Sequence, residues 1–146
     1  MQKFRFRLDS VLRLRSLHLT IEREKLARAL SEVAGAEKAV AALAAERAAA
    51  IAFVQNEAGT GTTELRALSA YLLGYEANQT KLRRSLEAAR LRASEQRKRV
   101  VAADRDERLL LKLKADRRAE WQIAADRELE VVAQESWNAV HFNPDH

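Results

Sequence analysis

Apolar residues recur every three to four positions through the first third of the chain. Alternating steps of four and three from Leu8 to Val54 meet fourteen positions, and all but Arg15, Glu22 and Arg47 are apolar. An average repeat of 3.5 residues is the heptad pattern of a coiled coil, whose apolar stripe needs a second helix to cover it. The pattern predicts a long helix with a helical partner.

A second stripe of the same kind supplies that partner. The same count from Leu65 to Leu110 meets fourteen positions, and all but Gln79, Gln96 and Glu107 are apolar. Two matching stripes in one chain favour an intramolecular pair. We therefore predict an all-α fold, an elongated antiparallel two-helix coiled-coil hairpin whose second helix is longer than the first.

Glycine and threonine residues mark the break between the stripes. Gly59 and Gly61 favour the end of one helix and a change of direction, and Thr62 or Thr63 suits the start of the next. We predict helix one at about 9–57, a turn at 58–63 and helix two at about 64–139, within a single domain of residues 1–146. Asn143-Pro144 excludes a longer helix.

The predicted turn sets a register in which paired residue numbers sum to about 121. Charged interruptions of the two stripes then fall beside complementary residues: Arg15 opposite Asp106 and Glu107, Glu22 opposite Arg99 and Val100, Arg47 opposite Tyr75 and Glu76. In the same register Asp9 meets Lys112, so helix two extends beyond helix one. Inside the helices, Gly35 and Gly74 are interpreted as solvent-facing, and a close approach of the helices or a slight bend is the alternative.

Composition narrows the functional classes. The chain has 146 residues, one proline, no cysteine and a formal charge of +5. Five basic side chains interrupt the first twenty residues, which predicts neither a secretory signal nor a membrane span. The absence of cysteine fits a reducing cytoplasm and leaves no thiolate ligand for a metal.

No residue pattern points to catalysis. His18, His141 and His146 do not form a ligand pair at helical spacing, and the chain has no glycine-rich phosphate loop. A two-helix hairpin also lacks a cleft from which water is excluded. We expect no enzymatic activity, no catalytic residue, no cofactor and no metal.

Nucleic-acid binding and a homodimeric scaffold are the competing hypotheses. Residues 81–99 contain eight basic side chains against Glu87 and Glu95, but these are distributed around the helix without interleaved aromatic residues. A solvated charged helix accounts for them better, so we expect no nucleic acid partner. A covered intramolecular stripe also predicts a monomer.

Two tryptophans lie beyond the predicted paired region. Trp121 and Trp137 are large apolar groups on a charged helix with no obvious cover within the chain, which suggests a docking surface. The alternative is that these tryptophans fold back on Phe4 and Phe6.

Several segments together resemble the FliJ family, small coiled-coil proteins of the bacterial flagellar export apparatus. The similar segments are Phe4 to Arg15 (FRFRLDSVLRLR), Glu24 to Ala27, Ala36-Glu37, Leu65 to Leu82 with its Tyr71-Leu72 pair, and Leu109 to Ala139 with LKLKADRR at 111–118. Their order and spacing carry the resemblance over nearly the whole chain. One departure is Val131-Val132-Ala133, where the family has a more polar run.

The resemblance implies a non-enzymatic stalk. FliJ-like proteins insert their termini into the hexameric export ATPase FliI, face the membrane export gate FlhA, and are credited with escorting export chaperones. It also implies a cytoplasmic protein held at the membrane only indirectly, at the flagellar basal body. Stalk proteins of type III injectisomes are the nearest alternative.

Two sets of contact residues follow from that architecture. The expected ATPase-facing residues are Arg7, Arg13, Arg15, Arg117, Arg118 and Trp121. The expected export-gate patch is Tyr71 with Leu68 or Tyr75, since tyrosine joins an apolar face to a polar tip. The alternative for the tyrosines is a bulky layer of the core.

Overall fold

The protein is described by a computed structural model that covers residues 2–56 and 61–142. It consists of two helices, α1 (Asp9–Asn56) and α2 (Thr62–His141), which pack against each other, and these residues include no strand. The helices contain 48 and 80 residues. The prediction of an all-α helical hairpin with a longer second helix is confirmed.

The helix ends lie close to their predicted positions. α1 begins at Asp9 and ends one residue before the predicted limit, whereas α2 extends two residues further than predicted at each end. The Leu65 amide donates to the Gly61 carbonyl at 3.3 Å, so Thr62 and Thr63 belong to the first helical turn and not to the connection. Gly61 lies in the connection, as predicted, whereas the predicted turn residues 58–60 and Asn143-Pro144 lie outside the described residues.

Contacts group the chain into two compact units, each with a stretch of both helices. The terminal unit comprises the described residues up to Leu19 together with those from Ala102 onward. The central unit comprises the described residues from Thr20 to Val101.

The core of the central unit follows the predicted stripes. Its buried apolar residues all occupy stripe positions of α2: Tyr75, Leu86, Ala89 and Ala93. Stripe positions of α1 from Leu26 to Val54 are half-buried, apart from the exposed Arg47. Exposed ion pairs link the helices on both sides of this seam, Glu37 with Arg90 at 3.4 Å and Glu32 with Arg92 at 3.5 Å. The falling order of partners on α2 confirms the antiparallel arrangement.

One buried polar pair crosses the seam of the central unit. Glu22 and Gln96 are 5% and 8% exposed. The Gln96 amide donates to the Glu22 backbone carbonyl at 3.1 Å and also to its carboxylate, which Lys25 approaches at 3.4 Å. We expected Arg99 and Val100 opposite Glu22. Gln96 meets it instead because its amide can donate to both the backbone carbonyl and the carboxylate of Glu22, whereas Val100, the next stripe residue, has no polar side-chain group to offer.

The terminal unit confirms one predicted ion pair and corrects another. Its buried apolar residues are Leu12, Leu19, Ala103 and Ala125. Arg15 lies 3.6 Å from Asp106, as the register predicted. Asp9 pairs with Lys114 at 3.0 Å and not with the expected Lys112, because Lys114 lies half-buried on the face of α2 that meets the start of α1.

The two helical glycines face open space. A Cβ atom added at Gly35 or Gly74 would meet no other atom within 4 Å. No close approach of the helices therefore requires a glycine at either position, and the solvent-facing interpretation is confirmed.

The Asp9–Lys114 pair predicts a pH-dependent contribution to stability. The hydrogen bond from Lys114 lowers the pKa of Asp9 below its ordinary value. The ionised Asp9 carboxylate therefore stabilises the fold at pH values above the pKa that Asp9 has in the unfolded chain. This contribution is lost as the pH falls through the lower pKa that Asp9 has in the folded protein. Thermal unfolding followed by circular dichroism should show a small deficit for Asp9→Asn at pH 7 that disappears in acid.

Asp116→Asn is the matched control for this prediction. Asp116 is exposed, and no ion pair involving its carboxylate is found among the described residues. Its variant should follow the wild-type curve throughout. A deficit in Asp9→Asn that persisted unchanged in acid would contradict the electrostatic origin.

Candidate interaction surfaces

Residues 2–8 form a non-helical segment, here called the strap, which lies against α2 in the terminal unit. The Phe4 and Trp121 rings are 6.0 Å apart between centroids, with an interplanar angle of 52°. The strap and four residues of α2 together line an open groove; those four are Leu113, Arg117, Glu120 and Trp121. α1 begins at Asp9, so the strap is not part of that helix. It lies instead along the part of α2 that continues past the start of α1.

This contact corrects the expectation that Trp121 is uncovered. Trp121 is half-buried, and for this residue the alternative, packing against Phe4, is confirmed. Trp137 is 59% exposed, and its ring stacks on His141 at 4.3 Å between centroids. The signal for the fold-back was the alternation of Phe4 and Phe6 with basic residues, which suits an extended segment with one apolar side.

The expected ATPase-facing cations all lie in the terminal unit, but they differ in their partners. Arg13 pairs with Asp9 at 3.0 Å, and Arg117 pairs with Glu120 at 3.0 Å. Arg15 pairs with Asp106, as described above. Arg7 and Arg118 are exposed, and neither has an ion pair within residues 2–56 and 61–142. These two cations are the ones whose charge is left for a partner.

The end of α2 forms a second surface of the terminal unit. Every described residue after Ala125 is exposed, and residues 126–142 are here called the C-terminal segment. Its exposed large apolar residues are Leu129, Val131, Val132, Trp137, Val140 and Phe142. It begins acidic, with four carboxylates and one arginine in residues 126–135. The segment therefore offers both apolar area and negative charge.

An apolar groove lies beside the connection between the helices, in the central unit. It is lined by Ala49, Ala50, Phe53, Val54, Glu64, Ala67, Leu68 and Tyr71. Phe53 and Tyr71 are 66% and 37% exposed. An exposed aromatic pair beside small apolar residues is a typical protein contact surface.

The structure separates the two tyrosines that the sequence grouped together. Tyr75 is 8% exposed and carries the Arg47 guanidinium over its ring, with Cζ 5.3 Å from the centroid. Tyr75 therefore belongs to the core and is removed from the expected export-gate patch. Phe53 takes its place beside Tyr71. The heptad pattern does not mark Phe53, because this residue precedes the stripe residue Val54 by one position.

Two arginines of the basic stretch at 81–99 form ion pairs across the seam. Arg90 and Arg92 reach Glu37 and Glu32, which belong to opposite edges of α1. This placement agrees with the expected distribution around the helix.

Two further findings concern metal ions and membranes. Within the described part of the chain, no three His, Cys, Asp or Glu side chains come together as potential metal ligands. Neither helix, over its described residues, has a stretch long and apolar enough to cross a bilayer.

The chain was compared with protein-family models, curated proteins and solved structures. None of them matches.

Proposed function

We propose that the chain is a FliJ-like component of the bacterial flagellar export apparatus. In this proposal it inserts into the hexameric export ATPase FliI, stimulates it, and couples it to the export gate FlhA. Escort of export chaperones is part of the same role. The protein acts without a cofactor, in the cytoplasm, at the inner face of the membrane beneath the flagellar basal body.

The observation that supports the ATPase contact is the composition of the terminal unit. It contains residues near both ends of the chain, the basic strap and the exposed C-terminal segment. A central pore that receives such a unit meets positive charge from one part of the chain and negative charge from another. Complementary fields of this kind orient a partner and speed its association, and salt screens them.

The apolar groove supports a separate contact with the gate. Leu68 is half-buried, while Tyr71 and Phe53 remain exposed at the groove. Covering them would remove apolar surface from water without disturbing the seam. We assign the gate contact to Leu68, Tyr71 and Phe53.

A reconstituted ATPase tests the proposal. Added to a purified FliI-type ATPase, the wild-type chain should promote hexamer formation and raise ATP turnover. Arg7→Glu with Arg118→Glu should reduce this stimulation about tenfold at low salt, because two unpaired cations of the terminal unit become acidic.

Arg83→Glu with Arg84→Glu is the matched control, since it changes the net charge equally in the central unit. It should stimulate turnover as the wild type does. Absence of stimulation by the wild-type chain would refute the proposed function. Equal losses in both variants would refute the assigned contact residues.

Tyr71 should contribute to gate binding without contributing much to stability. Tyr71→Ala removes an exposed aromatic face of the groove, so affinity for the cytoplasmic part of an FlhA-type gate should fall about tenfold. Helix content, measured by circular dichroism, should stay unchanged. Leu73→Ala is the control, because Leu73 is 71% exposed and does not line the groove. A parallel loss of helix in Tyr71→Ala would assign Tyr71 to the core instead.

A further inference from the structure

The strap has two chemically different sides. Along it, basic residues alternate with apolar ones: Lys3, Phe4, Arg5, Phe6, Arg7, Leu8. The three basic side chains are exposed, whereas Phe4 and Phe6 are half-buried. Arg7 and Leu8 form a turn, which the hydrogen bond from the Asp9 amide to the Phe6 carbonyl closes, and Leu8 is exposed, so the two-sided pattern holds from Lys3 to Arg7. The strap therefore packs its aromatic side chains and presents its cations to solvent.

Two contacts hold the strap in place. Phe4 packs on Trp121 near one end of the strap. At the other end, the Asp9 amide donates to the Phe6 carbonyl at 3.1 Å, and the Asp9 carboxylate pairs with Lys114. The first helical residue of α1 and one aromatic pair thus fix both ends of a short segment to the same helix.

Lys3, Arg5 and Arg7 of the strap form no ion pair with any described residue, although Asp9 and Glu120 lie nearby and pair with Arg13 and Arg117. Because the segment is anchored, the cations lose less conformational entropy on binding than those of a free tail would.

We propose that the strap is a preorganised basic recognition element for an acidic protein surface, with Lys3, Arg5 and Arg7 as the contacting residues and Phe4 and Trp121 as positioning residues. The occupant is a protein because the strap keeps its aromatic side chains on α2. A lipid surface would need those rings to insert, and single-stranded nucleic acid would use them for stacking. The inference deepens the ATPase contact proposed above, on which it rests for the choice of partner; the titration below needs no ATPase, so the two proposals can fail separately.

The experiment uses the full chain with Trp137→Phe, so that tryptophan emission reports Trp121 alone. Poly-L-glutamate is the probe for an acidic polypeptide, and its dissociation constant is measured by isothermal titration calorimetry at low salt. K3E/R5E/R7E should weaken binding about tenfold relative to K81E/R83E/R84E, a control with the same charge change on exposed α2 residues. Phe4→Ala should weaken binding about threefold without any change of charge, through loss of the anchor.

Trp121 emission decides whether the strap stays docked. It should shift in Phe4→Ala, remain unchanged in K3E/R5E/R7E, and remain unchanged when poly-L-glutamate binds. Equal losses in the two charge-reversal variants would overturn the proposal. So would tighter binding to phosphatidylglycerol vesicles or to single-stranded DNA, or a shift of wild-type emission to the Phe4→Ala value on binding.

Discussion

Replacement of Gln96 with Leu should lower the free energy of unfolding by about 2–3 kcal/mol, because the Glu22 carboxylate loses a buried hydrogen-bond donor. Lys25 still approaches that carboxylate, but its side chain is half exposed and replaces little of the lost contact. Urea unfolding followed by circular dichroism measures the change.

The double variant Glu22→Leu with Gln96→Leu shows whether the loss comes from the unpaired carboxylate or from placing leucine at position 96. Replacing both partners of a buried polar pair by apolar residues is often neutral or stabilising, so the double variant should recover most of the loss. Gln79→Leu is the control, because Gln79 is a half-buried stripe position of α2 that contacts no carboxylate in the described residues. A double variant as unstable as Gln96→Leu would contradict this account.

A chain that ends at Glu128 should lose nearly all stimulation of the export ATPase while keeping its unfolding temperature. All residues removed that the structure describes are exposed, so their loss takes no side chain from the core, which extends to Ala125. The same residues carry most of the exposed apolar area of the C-terminal segment, from Leu129 to Phe142. In the proposed function that area enters the ATPase, and covering it drives association.

A variant that removes no residue separates the effect of the apolar side chains on ATPase stimulation from the effect of the carboxylates. Glu130→Lys with Glu135→Lys keeps every apolar residue of the C-terminal segment and reverses two carboxylates. It should retain part of the stimulation and show a weaker response to salt. Normal stimulation by the shortened chain would exclude the C-terminal segment from the ATPase contact.

The sequence predicted the seam well because burial in a coiled coil follows a fixed period. Leu12, Leu19 and Ala89 lie at stripe positions and are buried. The register was also predictable where opposite charges meet at the edge of the seam, as Arg15 and Asp106 do. Two predicted partners were wrong: Asp9 pairs with Lys114 and not Lys112, and Glu22 meets Gln96 and not Arg99. Counting residues from the turn gives the approximate height of a partner along the helix, but not the direction in which its side chain points.

The candidate sites were less predictable because they depend on contacts outside the repeat. The strap is not helical, so no helical period could place Phe4 on Trp121. Tyr71 and Tyr75 are one turn apart in the sequence, yet only Tyr75 packs beneath Arg47. Phe53 lies next to a stripe position, and only the arrangement of both helices shows that it borders the same groove as Tyr71.

Gly35 and Gly74 have a mechanical consequence. Alanine would fit at both positions without a clash and would favour the helix by about 1 kcal/mol each. Since glycine leaves the backbone more freedom than alanine would, each helix of the central unit has one position at which bending costs less than it would with alanine.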